Sequence, residues 1–200
     1  VVNNNIRVAN SDGIDILGGA DVVIENCFIA TGDDGICLKT EESSPALSGV
    51  TVANCEVISL ANCFKIGTET YHDISDVTVS DCSFYMPGIA GGYSGIAIEA
   101  TDGGKTSDIR ISDITMHNVT APMLIWLGNR NGNSELENVT VENITADQCD
   151  LPSAVTGHKY GKVKNVTLKN FDVTYRSATS DLKIYKGDSV YCGALNMKGY

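Results

Sequence analysis

The chain has 200 residues, enough for one domain with a sizeable core, and its formal net charge is −11 at pH 7. The acidic balance argues against nucleic acid or an anionic membrane surface as a partner, and no apolar run approaches the length of a membrane-spanning helix. Seven cysteines are present without a zinc-type CxxC pair, so they indicate no metal site.

Two short phrases alternate along the chain from Asp12 onward, and within each phrase apolar and polar residues alternate. The first phrase returns as DGIDIL (12–17), DGICLK (34–39), NCFKIG (62–67), SGIAIE (94–99) and, less regularly, PMLIWL (122–127). The second phrase returns as DVVIENC (21–27), GVTVANC (49–55), DVTVSDC (76–82), DIRISDI (108–114), NVTVENI (138–144) and NVTLKNF (165–171). A period of two residues predicts β-strands.

The spacing of the second phrase, from 27 to 32 residues, indicates how the strands are arranged. Repeats in register at this period predict an all-β fold, a parallel β-helix of about six coils that stack about 4.8 Å apart. We expect residues 1–175 to form these coils and residues 176–200 to begin a further coil. A β-sandwich is the alternative, but it would need hairpin turns between adjacent strands. Neither end shows a capping element, so we expect a fragment of a longer chain.

The sixth residue of each second phrase is Asn or Asp. Both residues tolerate a left-handed backbone and favour turns, so each strand is predicted to end there and these residues to stack at one turn: Asn26, Asn54, Asp81, Asp113, Asn143 and Asn170. The next position holds Cys27, Cys55 and Cys82 in the first three repeats and larger apolar residues in the last three. Because like stacks on like in a solenoid, these cysteines are predicted to be reduced and to face the core.

An acidic pair, Asp33 and Asp34, lies between Gly32 and Gly35 just before a predicted strand. Neighbours in a regular strand face opposite sides, and an unpaired buried carboxylate is costly. We therefore expect the glycines to permit an irregular backbone that brings both acids to one outer cleft. Asp12 has the same place in the preceding repeat, so stacking brings a third carboxylate to the patch, and such crowding is expected to raise at least one pKa.

From spacing alone, three interpretations of this acidic patch stay open. A protonated acid beside an ionised one suits the cleavage of a glycosidic bond, in which one protonates the leaving oxygen and the other activates water. Clustered carboxylate oxygens also suit a calcium ion. A solvated acidic turn would need no function.

The segments NSDGIDI (10–16) and TGDDGICLK (31–39), within their repeats, resemble glycoside hydrolase family 28, the polygalacturonase and rhamnogalacturonan hydrolase family. The resemblance covers most of residues 4–172. It implies a right-handed parallel β-helix and hydrolysis with inversion, without an organic cofactor or a metal. By this resemblance Asp33 is the general acid, while Asp12 and Asp34 activate the water. Inversion fits acid and base carboxyls about 6.5–9.5 Å apart.

Two motifs of that family are replaced in this chain. The sequence ANC (61–63) stands where the family has GHG, so Asn62 takes the place of the usual His and is predicted to bind substrate there. The sequence AIE (97–99) stands where the family has RIK, so Ala97 and Glu99 take the place of a basic pair that holds a uronate carboxylate. We therefore expect weaker recognition of a uronate at that position.

Further substrate-binding candidates are predicted on the outward side of the same strands. Lys65 either replaces the lost basic pair or neutralises the acids, and Glu99 either binds sugar hydroxyls or pairs with Lys65. Trp126, the only tryptophan, points outward, where it either stacks on a sugar ring or packs under a loop. Arg130 lies on a loop beyond Trp126 and is placed to meet a uronate.

These patterns together predict a glycosidase that cleaves a pectic polysaccharide, at a galacturonide or rhamnogalacturonan-type linkage, by inverting acid–base hydrolysis. One alternative is a polysaccharide lyase on a similar solenoid, which would want calcium ligands and a basic residue beside the acids. Another is a non-catalytic, carbohydrate-binding β-helix, consistent with the replaced motifs. We expect a monomer whose partner is a polysaccharide or oligosaccharide. By the resemblance we expect it to be secreted or periplasmic.

Overall fold

The computed structural model of the chain describes residues 10–88, 92–159, 161–176, 182–185 and 187–199. In these ranges every regular element is a β-strand, and no helix is long and apolar enough to cross a membrane. The strands in chain order are β1 (Ile14–Leu17), β2 (Gly19–Glu25), β3 (Phe28–Ala30), β4 (Ile36–Thr40), β5 (Leu47–Ala53), β6 (Glu56–Ile58), β7 (Asn62–Thr70), β8 (Ile74–Tyr85), β9 (Ser94–Ala100), β10 (Lys105–His117), β11 (Ala121–Leu127), β12 (Glu135–Cys149), β13 (Ala154–Thr156), β14 (Val163–Tyr175), β15 (Lys183–Tyr185) and β16 (Gly187–Gly199).

The strands form two parallel sheets. A seven-stranded sheet has the order β1-β4-β7-β9-β11-β13-β15, and a nine-stranded sheet has the order β16-β14-β12-β10-β8-β5-β2 with β3 and β6 beside it. Within each sheet, a strand pairs with the equivalent strand of the next repeat, so that Val50 lies opposite Val77 and Ile109 lies opposite Val139. The parallel β-solenoid predicted from the two phrases is therefore confirmed, with the first phrase in one sheet and the second phrase in the other.

The core lies between the two sheets and is built from like residues stacked on one another. The inward column Ile36, Phe64 and Ile96 is in register across β4, β7 and β9, and each of these side chains is fully buried. The neighbouring column Leu38, Ile66 and Ile98 is equally buried, while Ile14 and Ile16 of β1 are only partly covered. Full burial of one such side chain stabilises the fold by about 1.5–3 kcal/mol.

The Asn or Asp at the sixth position of each second phrase has a positive φ angle, and the six angles lie between 53° and 58°. These residues form ladders: the amide nitrogen of Asn170 donates to Asn143 Oδ1 at 2.9 Å, and that of Asn143 donates to Asp113 Oδ1 at 2.9 Å. The stacking at one turn is confirmed. The prediction that every strand ends there is wrong, because one left-handed residue bends the chain while the hydrogen bonding of β8, β10, β12 and β14 continues beyond it.

The six cysteines whose side chains the structure describes are free thiols. Cys55 and Cys82 are buried and Cys27 is half-buried, and the sulfurs of Cys55 and Cys82 contact backbone carbonyls at 3.3 and 3.1 Å. Burial raises the pKa of Cys82 to about 11 and that of Cys63 to about 12. The Cys63 and Cys82 thiols therefore stay protonated near neutral pH, and the buried cysteines act as small core residues, as predicted.

Candidate active site

The register of the seven-stranded sheet places Asp12, Asp34, Asn62 and Ser94 in one row at the start of the strands. The Gly13 N–H donates to the Asp34 carbonyl at 2.9 Å, and the Gly35 N–H donates to the Asn62 carbonyl at 2.8 Å. Asn62 pairs directly with Ser94 across β7 and β9. Since adjacent parallel strands lie about 4.8 Å apart, one row presents the polar groups of successive coils along one edge.

Glycine is needed beside the acids because there is no room for a larger residue. A Cβ atom on Gly13 would lie 2.4 Å from the Gly35 carbonyl oxygen, and one on Gly35 would lie 2.5 Å from the Cys63 carbonyl oxygen. Neither Gly32 nor Gly35 has a positive φ angle. The backbone at residues 31–35 is irregular, as expected, and Gly35 is also required because coil backbones approach closely where the acids leave the core.

Asp34 is 4% exposed, and both of its carboxylate oxygens have partners. Its Oδ1 accepts hydrogen bonds from the Asn62 backbone N–H at 3.1 Å and from the Asn62 side-chain amide at 2.8 Å, while its Oδ2 meets Lys65 Nζ at 2.8 Å. The Asn62 Oδ1 in turn accepts from the Ser94 hydroxyl at 2.8 Å. The replaced His position is therefore part of a chain of hydrogen bonds that fixes the orientation of the Asp34 carboxylate.

Asp33 adjoins Asp34 in sequence but has different partners. One of its carboxylate oxygens accepts from the Asn10 backbone N–H at 2.7 Å, and the other accepts from the Asp34 N–H at 3.0 Å. Its carbonyl oxygen accepts from the Ser59 hydroxyl at 2.6 Å. These bonds hold the turn between Thr31 and the start of β4, and they orient the Asp33 carboxyl differently from that of Asp34.

Asp12 is paired with Lys39 of the next coil. The Lys39 Nζ lies 2.9 Å from a carboxylate oxygen of Asp12 and 2.9 Å from one of Asp15. Burial lowers the pKa of Lys39, but the charge interaction with Cys37 and the hydrogen bonds to Asp15 and Asp12 together outweigh this and raise that pKa overall. Asp12 and Asp34 therefore each contact a lysine, so positive charge lies beside two of the three carboxylates that were expected to crowd together.

Glu99 also lines the cleft described below, and its pKa is clearly raised. Burial is the main cause of the higher pKa of Glu99, with the negative charges of Asp34 and Glu69 adding to it against the opposing effect of Lys65. Lys65 Nζ lies 3.9 Å from a Glu99 oxygen, a longer ion pair than that with Asp34. For Lys65 itself, burial lowers the pKa, but the charge and hydrogen bond of Asp34 raise it overall.

A cleft of about 230 Å³ opens beside these residues. It is lined by Asp33, Asp34, Ala61, Asn62, Lys65, Tyr93, Glu99 and Leu124. Sequence reasoning placed five of these residues among its site candidates and missed Ala61, Tyr93 and Leu124. Tyr93 precedes β9 in a segment without alternation, so no sequence pattern marks it, whereas Leu124 has the outward parity of Trp126 and could have been found from that parity.

Trp126 and Arg130 are not among the described lining residues of this cleft. Trp126 of β11 lies opposite Glu99 of β9 and is 37% exposed, and its indole packs over Gly128. The Arg130 guanidinium is bound to Asp102 at 2.8 and 2.5 Å and to Glu69 at 3.1 Å. Burial of Asp102 opposes a low pKa, but the Arg130 hydrogen bond outweighs it and lowers the pKa of Asp102. Arg130 thus already has two carboxylate partners.

The groups that could bind a metal are not clustered in this region. Within the described part of the chain, no three His, Cys, Asp or Glu side chains are arranged to hold a metal ion. The acids beside the cleft instead contact lysine ammonium groups and hydrogen-bond donors of the chain itself. The arrangement can present a fixed carboxylate, a second carboxyl group and an aromatic side chain to a bound polar ligand.

A family model and individual known proteins match this chain over most of its length. A family model described as glycosyl hydrolases family 28 matches residues 1–192. The chain is 26% identical over 192 residues to polygalacturonase QRT2 of Arabidopsis thaliana, covering 94% of this chain and 38% of that protein. It is 27% identical over 169 residues to an endo-polygalacturonase of Pectobacterium carotovorum subsp. carotovorum, covering 82% of this chain and 40% of that protein.

Two solved structures share the fold. An exopolygalacturonase from Thermotoga maritima superimposes with a TM-score of 0.72 at 17% identity, covering 94% of this chain and 45% of that one. A family 28 exopolygalacturonase from Yersinia enterocolitica also gives a TM-score of 0.72, at 19% identity, covering 93% of this chain and 36% of that one. The chain thus spans less than half the length of these relatives.

Proposed function

The chain belongs to glycosyl hydrolases family 28, and from this premise we propose that it carries the catalytic region of a glycoside hydrolase that cleaves a pectic polysaccharide by inverting acid–base hydrolysis. The relatives named as polygalacturonases support this class of substrate. Because such polysaccharides lie outside cells, we place the protein in a secreted or periplasmic setting.

The observation that carries the proposal is the placement of the acids. Asp33 and Asp34 open onto one cleft from the start of β4, and Asp12 is in the same row one coil away. The two neighbouring acids also have different partners, two backbone N–H groups for Asp33 and a lysine with an amide for Asp34. Acid–base hydrolysis needs two carboxyl groups in different environments.

In the proposed reaction, the Asp33 carboxyl gives its proton to the glycosidic oxygen as the bond from that oxygen to the anomeric carbon breaks. A water molecule attacks the anomeric carbon from the opposite face, and its proton passes to Asp34, assisted by Asp12. Lys65 and Asn62 hold Asp34 in the orientation that this step requires. The product then has the inverted configuration, and the proton held by Asp34 returns through solvent water to Asp33, which restores both carboxyl groups.

The test uses the whole protein that carries these residues and a panel of pectic oligosaccharides. Asp33→Asn, Asp34→Asn and Asp12→Asn should each reduce turnover by about 10²–10⁴-fold, the usual contribution of general acid–base catalysis. Asp81→Asn is the matched control, because Asp81 lies at an exposed turn of the other sheet, and it should leave turnover unchanged. The anomeric configuration of the first product, read by proton NMR, tests inversion.

Several outcomes would contradict the proposal. Normal turnover in Asp33→Asn would remove the acid assignment. A product that absorbs in the ultraviolet because it is unsaturated would indicate a lyase. Tight binding of the oligosaccharides without turnover by the unaltered protein would indicate a non-catalytic, carbohydrate-binding β-helix.

A further inference from the structure

We infer that the cleft beside Asp33 and Asp34 receives an uncharged sugar unit, such as a methyl-esterified galacturonosyl or a neutral pyranosyl unit, rather than a free uronate. The inference rests on the proposed function and specifies the substrate class at that same site. Its determinants are Glu99, Lys65, Tyr93 and Leu124.

The charge of the cleft lining opposes a carboxylate ligand. Asp33, Asp34 and Glu99 are acidic, and Lys65 is the single basic residue among the described lining residues. The Lys65 ammonium is bound to Asp34 at 2.8 Å and faces Glu99 at 3.9 Å, with only 15% of its side chain exposed. A uronate at this place would therefore meet more negative than positive charge, and the one cation there already has two carboxylate partners.

The remaining surface of the cleft suits the hydroxyl groups and the C–H face of a sugar. Tyr93 is 66% exposed and presents an aromatic ring, and Leu124 adds an apolar wall. The nearest Glu99 oxygen is 3.9 Å from Lys65, beyond hydrogen-bond distance, so the Glu99 carboxyl has capacity to bond sugar hydroxyls. An aromatic face with a nearby acceptor is a common way to bind a neutral pyranose.

The strand position that pairs with both Lys65 and Leu124 carries no positive charge. Ala97 pairs with Lys65 on one side and with Leu124 on the other, and it is fully buried. Its methyl group reaches no ligand. Lys65 is therefore the only cation that these three paired positions offer to a ligand.

The experiment compares substrates whose galacturonosyl units carry either a free carboxylate or its uncharged methyl ester. Oligogalacturonides with free carboxyl groups and the same oligomers as methyl esters are offered to the whole protein, and kcat/KM is measured for each. We expect at least about a tenfold preference for the ester, which decreases at high salt because salt screens the repulsion. A preference for the free acid would overturn the inference while leaving the proposed hydrolase intact.

Two variants locate the preference in the cleft. Glu99→Lys should move the ester-to-acid ratio of kcat/KM towards the free acid by about tenfold or more, and the isosteric Glu99→Gln should move it part of the way. Glu56→Lys is the matched control on the other sheet, where Glu56 is exposed, and it should leave the ratio unchanged. Unchanged ratios in both Glu99 variants would remove Glu99 from the inference.

Binding tests the inference independently of turnover. Calorimetric titration of Asp33→Asn with both oligomers should show tighter binding of the ester, and the difference should shrink in the Asp33→Asn/Glu99→Gln double variant. Equal or tighter binding of the free acid overturns the inference. If no oligosaccharide is hydrolysed by the unaltered protein but the ester still binds more tightly, the proposed function fails and the charge preference stands.

Discussion

The two oxygens of Asp34 are divided between two kinds of partner. The Asn62 amide and backbone hold one oxygen, while the Lys65 ammonium neutralises the other at 2.8 Å. The sequence left two roles open for Lys65, either replacing the lost basic pair or neutralising the acids, and this ion pair favours the second. A buried carboxylate with both oxygens occupied is fixed in space, as a base for water must be.

Removing the Lys65 charge should expose the cost of burying Asp34. Lys65→Met leaves the Asp34 carboxylate without its cation, and we expect the free energy of unfolding to fall by about 2–3 kcal/mol, because one partner of a largely buried pair is gone. Urea denaturation at pH 7 measures this change. Lys169→Met is the matched control, since Lys169 is 51% exposed and forms only a 3.9 Å ion pair, and it should change stability by less than about 0.5 kcal/mol.

The double variant Lys65→Met/Asp34→Asn distinguishes this cause from lost packing. With both charges removed, no uncompensated carboxylate remains, so part of the lost stability should return relative to Lys65→Met alone. If the stability losses of Lys65→Met and Asp34→Asn add up to that of the double variant, the ion pair does not stabilise the fold in the way described.

Glu99 should make stability depend on pH. Its folded-state pKa is raised, chiefly by burial, so the folded protein holds this proton more tightly than the unfolded chain. Its stabilising contribution is complete below the unfolded Glu pKa of about 4.3 and is lost as the pH rises through the higher folded value. Glu99→Gln should therefore flatten the decline in stability above about pH 4.3, measured as melting temperature against pH. Glu56→Gln is the control, and an unchanged slope in Glu99→Gln would contradict the assignment.

In β8, β10, β12 and β14 of the nine-stranded sheet, left-handed Asn or Asp residues turn the chain without ending the strand. The sequence identified these residues by their turn chemistry but placed a strand end at each of them. It could not show that the ladder would continue, because continuation depends on pairing with the strands of neighbouring coils. The β12 strand, for example, extends from Glu135 to Cys149 through both Asn138 and Asn143.

The amide ladder should account for part of the stability of these turns. Asn143→Ala places an Ala at a φ of 58° and removes hydrogen bonds to Asp113 and from Asn170, so we expect a loss of about 1–3 kcal/mol. Asn143→Gly should lose less, because Gly adopts this φ freely. Thr145→Ala, at an exposed strand position nearby, is the control. Equal losses for the Ala and Gly variants would show that backbone conformation plays no part.

At the scale of the whole molecule, the sequence predicted the sheets better than the site. The two repeated phrases identify the parallel sheets and the inward columns because each inward residue stacks on a similar residue one repeat away. The cleft is formed differently: Tyr93 comes from a connecting segment, and the partners of Asp12 and Asp34 come from other coils through long lysine side chains. Those contacts depend on rotamers and on spacing between coils, which a strand period does not encode. The domain boundary at 175 stays a prediction.

The stacked coils also predict how core substitutions combine. Each strand pairs only with the strands of adjacent coils, as Val52 does with Val79, and Val79 with Ile111, which pairs with Val141. In such a one-dimensional stack, stability is a sum of coil terms and nearest-neighbour terms. Val52→Ala, Val79→Ala and Val141→Ala should each cost about 2 kcal/mol. The losses for Val52→Ala and Val141→Ala should add within about 0.5 kcal/mol.

The adjacent pair should behave differently from the distant pair. Val52 and Val79 share a contact, so their double variant should depart from additivity by more than about 0.5 kcal/mol, since the second truncation enters a cavity that the first has already opened. Urea denaturation of the three single and two double variants gives both coupling energies. Equal coupling in the adjacent and distant pairs would mean that the core responds as one unit, and the nearest-neighbour description of this solenoid would be wrong.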